Sequence, residues 1–232
     1  MQKLPGHSMI SQNFQSDLVH FPDFHTHQKG NVFSIFNVLP DEGIPDQCFS
    51  WGIHPWYLNE NWDKELEKIV ASSSNPRLLA IGECGFDLIK GPEPKLQMKA
   101  FVAQADLAIK LGLPIILHCV KGSHLLQEFL KNNPNPPAII WHGYNQKPKI
   151  AENLISFRLY FSFGKALLKQ DSNAQQWLLK CPLDRIFFET DNSEISISAI
   201  YQQASLLLGI PVGQLVHQVR ENWNRISNRK MT

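Results

Sequence analysis

Residues 114–118, PIILH, and 138–142, AIIWH, share one pattern: an uninterrupted apolar run that ends on a histidine. Apolar residues at consecutive positions fit a strand covered on both faces, as in a parallel sheet; a strand with one wet face would alternate instead. Working outward, similar short runs recur at 21–25, 32–39, 47–53, 78–83, 158–163 and 185–189, which makes eight strands. Amphipathic stretches separate the later ones. From 94 to 111, Leu96, Ala100, Ala103, Leu107 and Leu111 recur at steps of three or four, with Pro94 suited to the first helical turn and Gly112 to the stop. Ser123 is placed to cap a helix through Leu125, Leu126 and Phe129 that ends at NNPNPP. Further helices fit 147–155, 172–180, 196–208 and 212–226. Between the first three strands there is no room for one, since 27–32 and 40–47 are loops rich in Gly, Pro and Asp.

This order predicts an α/β fold, a (β/α)8 TIM-type barrel with its first two helical crossovers reduced, and leaves a doubly wound open sheet as the alternative. A single barrel domain is expected over 21–232, after a polar N-terminal arm at 1–20. Without the first two helices, wall residues such as Phe33, Ile35 and Phe36 need cover from the arm or from a partner subunit.

Of the 232 residues 43% are hydrophobic and 19% charged, which suits a sizeable core and excludes a disordered chain or a coiled coil. Lys+Arg number 22 against 21 Asp+Glu, so the net charge of +1 excludes a protein that holds nucleic acid by charge alone. Cys48, Cys84, Cys119 and Cys181 lie far apart with no C-x-x-C pair, which argues against a zinc ribbon or a disulfide framework. No run approaches the roughly 20 apolar residues of a membrane span, and the first twenty residues lack a signal-peptide core. A cytoplasmic protein with no obligate protein partner is expected.

The chemistry lies at the strand ends. His25 and His27 close the first strand, Glu83 the fourth, His118 the fifth and His142 the sixth, and Asp191 follows the eighth. In a parallel barrel these ends meet at one mouth, where active sites are found. Taken singly, a strand-end histidine is usually structural, Glu83 reads as a solvated turn residue and Asp191 as a helix cap. Four imidazoles and two carboxylates converging together read as a metal site. Donors without thiolate suit Zn, Mn, Fe or Co, or Mg with waters. Six are too many for one catalytic ion and suit two ions about 3.5–4 Å apart that share a carboxylate.

The segments DFHTH (23–27), GIHPW (52–56), IGECGFD (81–87), FVAQADLAIKLGLPIILHC (101–119), IIWHGY (139–144) and FFETD (187–191), with the tail VRENWNRI, resemble the TatD family of metal-dependent deoxyribonucleases, within the amidohydrolase-like metal hydrolases. The resemblance implies a divalent-metal-dependent phosphodiester hydrolase, a 3′–5′ exonuclease on single-stranded DNA or 3′ ends, with two ions (Mg, Mn or Zn). It implies that His25, His27 and Asp191 hold one metal, that His118 and His142 hold the other, and that Glu83 bridges. Glu83 and Asp191 would be catalytic, with Asp191 orienting or deprotonating the attacking water. His54 would contact substrate phosphate, and Asp87 would support a ligand from behind. The chain departs from the family where substrate is gripped. Val120 and Lys121 stand where an Arg and an acidic residue are common, Trp56 stands for the second His of GIHPH, Leu88 for a Tyr and Ser193 for a Pro. Lys121 is a substitute phosphate contact, and Trp56, Tyr57 and Tyr144 are expected at the rim, where an unpaired base would stack. The alternatives are a small-molecule metal hydrolase (of a lactone, cyclic amide or phosphoester) on the same barrel, and an inactive metal-binding scaffold.

Overall fold

The computed structural model describes residues 20–31 and 33–231; the arm read at 1–20 lies outside them except for His20. Eight strands run β1 (Asp23–Thr26), β2 (Ser34–Val38), β3 (Phe49–Trp51), β4 (Leu78–Asp87), β5 (Ile115–Val120), β6 (Ile139–Trp141), β7 (Leu159–Phe163) and β8 (Ile186–Phe188). They pair in sequence order, each parallel to the next. The ring closes at the mouth, where Thr26 bridges to Asp191. There Asp191 N donates to His25 O at 2.9 Å and His27 N donates to Asp191 O at 3.1 Å. The fold is the (β/α)8 barrel that the apolar runs predict, and no helix of the described residues joins β1 to β2 or β2 to β3.

Among the described residues seven α-helices cover the outside: α1 (Trp62–Ala71), α2 (Pro94–Leu111), α3 (Ser123–Asn132), α4 (Pro148–Glu152), α5 (Asn173–Leu178), α6 (Ile197–Leu208) and α7 (Val212–Ile226). Helix α1 has no counterpart in the sequence reading. Its segment WDKELEKIVA buries only Ile69, with Trp62 and Leu66 packed at the edge, so its apolar stripe is narrow. In α2, Pro94 begins the helix and Gly112 ends it in the left-handed conformation, φ 64°. Two buried glutamines on its inner face satisfy strand ends below the mouth: Gln104 Oε1 accepts from Ile53 N (2.7 Å) and Gln97 Oε1 from Asp87 N (2.7 Å). Helix α7 seats Trp223 against Phe24, ring centroids 5.6 Å apart, and Asn222 Nδ2 donates to Ile186 O at 3.0 Å.

The wall of the shortened crossovers is less bare than expected. Ile35 and Phe36 are buried, Lys29 lies over the Phe36 ring, and half-buried Phe33 stacks on His20 at 4.2 Å. No helix of the described residues is long and apolar enough to cross a membrane.

Candidate active site

The site is built on a bulge. Strand β4 continues past Glu83 to Asp87, whereas the sequence reading ends it at Glu83. Gly82 pairs with Ile116 and Cys84 with Leu117, which leaves Glu83 as the extra residue between them. A bulge re-aims a side chain out of the alternation of its strand. The backbone permits it only with glycine: Gly82 has φ 146°, and a Cβ there would lie 2.4 Å from Ile116 O. A Cβ on Gly52 would lie 2.6 Å from Gly82 Cα, so the residue that follows β3 must also be a glycine. Glu83 N donates to Asn37 Oδ1 at 2.8 Å, and the same amide oxygen accepts from Ser50 Oγ at 3.2 Å.

The Glu83 carboxylate has two differently populated sides. Oε2 lies 3.4 Å from His25 Nε2 and 3.3 Å from His27 Nε2, and these nitrogens stand 3.7 and 3.6 Å from Asp191 Oδ1. Oε1 faces His142 Nε2 at 2.8 Å and His118 Nδ1 at 3.4 Å, with His54 Nε2 at 3.8 Å. Donors placed tetrahedrally about an ion at 2.0–2.2 Å stand about 3.3–3.6 Å apart, close to the spacings on the His25–His27–Asp191 side, while on the other side His118 stands at 3.4 Å and His142 closer, at 2.8 Å. Neither nitrogen of the buried His25 has a hydrogen-bond partner, an arrangement costing about 1–3 kcal/mol per atom unless something else takes the lone pair. The residues therefore fit divalent cations.

Two of the imidazoles, His118 and His142, face a carboxylate on the side away from Glu83. His118 Nε2 lies 3.1 Å from Asp87 Oδ2, so its proton sits there and Nδ1 turns to Glu83. His142 Nδ1 faces Glu189 Oε1 at 3.4 Å, an oxygen that accepts from Gly143 N at 2.5 Å, while His142 Nε2 faces Glu83. His54 differs. Its Nδ1 accepts from Trp56 N at 3.0 Å, so a neutral ring carries its proton on Nε2 and presents a donor, not a lone pair. Its position beside Glu83 and His118 is nonetheless close enough for a ligand; the tautomer makes it a hydrogen-bond donor to whatever enters.

Charges follow the same division. Burial alone would raise the Glu83 pKa, but His142 and His25 hold it well below the usual carboxylate range. Burial would lower His25 and His142, yet Glu83 reverses the sign and both are raised, His142 strongly with help from Glu189. Without ions, then, this cluster draws in protons as its positive charge. Burial pushes His54 down to about 3, so it stays neutral. Asp87 is held at about 2: burial opposes its charge, and the Trp56 indole N–H with two backbone N–H groups overcomes that.

His27, His54, Trp56, Tyr57, Glu83, His118, His142 and Asp191 line one cavity of about 200 Å³ at the mouth, and His25 is buried beside Glu83. A larger cleft of about 370 Å³ beside the start of β1 is lined by residues such as Phe24, Arg220 and Trp223 and, among the described residues, by no carboxylate. Of the expected substrate contacts, the rim placement of Tyr144 is corrected, and Lys121 stands away from the cavity. Tyr144 is fully buried: Gly143, at φ 56°, turns the chain back into the wall, and the ring packs on Phe161 at 4.8 Å while its hydroxyl donates to Lys147 O. Lys121 is exposed but does not line the cavity. Trp56 and Tyr57 do sit at the rim, 45% and 46% exposed.

Three supporting residues were missed in the sequence. Asn37 anchors the bulge. Glu189, the carboxylate closing the buried run IFFE, was a readable anomaly. Asp23 joins β1 to the chain after β8, accepting from Thr190 N (3.0 Å) and Thr190 Oγ1 (2.6 Å), with burial pushing its pKa up to about 7.

The chain is similar to known proteins over most of its length. Residues 39–227 match the family model described as TatD related DNase. The chain is 28% identical over 207 residues to a 3′-5′ ssDNA/RNA exonuclease TatD of Erwinia tasmaniensis, covering 79% of this chain and 80% of that protein. It is 30% identical over 158 residues to a metal-dependent hydrolase of Buchnera aphidicola, covering 67% and 59%. The crystal structure of YjjV, a TatD homologue from Escherichia coli K12, superposes with a TM-score of 0.73 at 19% identity over 90% of this chain and 98% of that one.

Proposed function

The chain belongs to the TatD-related DNase family, a family of metal-dependent hydrolases acting on ester bonds, and on that premise we propose that it removes nucleotides from the 3′ end of single-stranded nucleic acid with two divalent ions. The observation that carries the two-ion reading is Glu83, whose two oxygens each face their own set of imidazoles. His25, His27 and Asp191 would hold one ion, His118 and His142 the other, and Glu83 both. Bound there, such ions supply Lewis acidity at a phosphoryl oxygen and lower the pKa of water.

The chain's own groups do the rest. Asp191 is the most open carboxylate of the cluster, 29% exposed against 5% for Glu83. Its left-handed backbone, φ 54°, turns it into the mouth, where it orients the attacking water and takes its proton. His54 Nε2–H donates to a non-bridging phosphate oxygen and, being neutral, does so at any ordinary pH. A small mouth on a nearly neutral chain supports gripping a few nucleotides of a free end rather than a long basic track. A cytoplasmic setting fits the four buried cysteines.

The test is cleavage of a 5′-labelled single-stranded DNA oligomer with Mg²⁺ or Mn²⁺, beside Asp191→Asn. A descending ladder, abolished by the variant and by chelator, is expected. No cleavage in any metal by folded, metal-loaded protein would overturn the nuclease reading in favour of a small-molecule hydrolase or an inactive scaffold.

A further inference from the structure

Next to the mouth stands a lysine with no assigned part. Lys90 lies on the turn after β4, and its ammonium sits over the Trp56 ring, 4.0 Å from the centroid. One carboxylate builds this arrangement. Asp87 Oδ1 accepts from Ile89 N (2.8 Å) and Lys90 N (2.9 Å), which fixes the turn. Asp87 Oδ2 accepts from Trp56 Nε1 at 2.6 Å and lies 3.1 Å from His118 Nε2. The loop, the indole and an imidazole facing Glu83 are thus locked to each other through four contacts on one side chain.

We propose that Lys90, seated on Trp56, grips a phosphate of the single-stranded substrate other than the one being cut. The inference rests on the nuclease reading above. Distance supports it: the Trp56 ring is 5.8 Å from the His118 ring, so Lys90 Nζ is no more than about 10 Å from that ring, the spans of 4.0 and 5.8 Å laid end to end. That is about three nucleotide rises of roughly 3.4 Å, or fewer in a stretched strand. Availability supports it too. Among the described residues Lys90 forms no ion pair, whereas Lys29, in the loop after β1, is engaged by Glu42 at 3.7 Å. Cation–π seating holds a long, flexible side chain near its working position, so less freedom is lost when phosphate arrives. Trp56 accordingly serves as the seat of a cation on this face instead of offering it to a base.

Lys90 is exposed, so Lys90→Met should fold normally. The probe is a fluorescent single-stranded DNA oligomer, bound by the metal-loaded Asp191→Asn protein over a range of salt and followed by anisotropy. Lys90→Met should flatten the plot of log K against log salt by about 0.7, one phosphate's worth, while Lys131→Met on the outer end of α3 leaves it as it was. In the active enzyme Lys90→Met should raise KM for the oligomer roughly fivefold, with kcat altered by less than about twofold. An unaltered slope and KM, in protein whose wild type binds and cleaves the oligomer, would overturn the Lys90 inference and leave the nuclease intact. Tighter binding would also overturn it, marking Lys90 as a cover over a base-stacking face. A wild type that hydrolyses bis(p-nitrophenyl) phosphate but neither binds nor cleaves the oligomer would remove the nuclease reading and this inference with it.

Discussion

Replacing Asp87 by Asn removes one charge and tests how His118 is aimed. Oδ1 accepts two backbone N–H groups, and Oδ2 meets the Trp56 indole N–H and His118 Nε2. An asparagine has one acceptor oxygen and one NH₂, so in either orientation its donor faces two donors. The better orientation keeps the oxygen on the turn and points NH₂ at Trp56 and His118. His118 then loses the partner that holds its proton on Nε2, and Nδ1 is no longer reserved for a ligand's part. Loss of such a supporting carboxylate costs about 10–100-fold in metal affinity, or about 1.4–2.8 kcal/mol. The unpaired, partly exposed indole N–H adds about 1–2 kcal/mol of folding free energy, which lowers Tm by about 2–8 °C in a domain of this length. Calorimetric titration of Mn²⁺ or Zn²⁺, paired with thermal unfolding of the metal-free protein, reads both numbers. Wild-type affinity at every site in the variant would refute the assignment of Asp87 as the group that orients His118.

Metal uptake at pH 7 should release protons, because His25 and His142 have raised pKa values in the metal-free fold and must be neutral to ligate. Affinity should therefore fall as the pH drops through those raised values, and titration in buffers of different ionisation enthalpy gives the proton count; uptake without release contradicts it. Gly82→Ala puts a Cβ 2.4 Å from Ile116 O at φ 146°, and should destabilise by about 3–5 kcal/mol in denaturant unfolding. Tyr201 is fully buried and its hydroxyl donates to Pro22 O at 2.9 Å, so Tyr201→Phe should cost about 1–3 kcal/mol by the same measurement, and a neutral result would show that Pro22 O finds another donor.

The apolar runs marked all eight strands because both faces of a barrel strand are covered, so that PIILH and AIIWH need no periodicity to be read. Helix α1 escaped notice because a stripe of Trp62, Leu66 and Ile69 on a charged segment is too narrow to stand out. The acid and imidazole residues were conspicuous as a set, since polar types are rare at the ends of buried runs. How Glu83 reaches them was not legible: a bulge is a mismatch of register between β4 and β5, and one strand's sequence does not contain its partner's register. The supports were hidden for a related reason. Asp23, Asn37 and Glu189 act on groups 167, 46 and 46 residues away along the chain, so nothing local announces them. Tyr144 was placed at the mouth by its nearness to His142, but one left-handed residue at Gly143 reverses the direction of the chain.

The central claim is that Glu83 is shared between two cations, one on each carboxylate oxygen. Anomalous diffraction from crystals loaded with Mn²⁺ or Zn²⁺ tests it directly. Two peaks are predicted, one among His25, His27 and Asp191 and one between His118 and His142, both in contact with Glu83. A single peak, or ions held away from Glu83, would contradict the account.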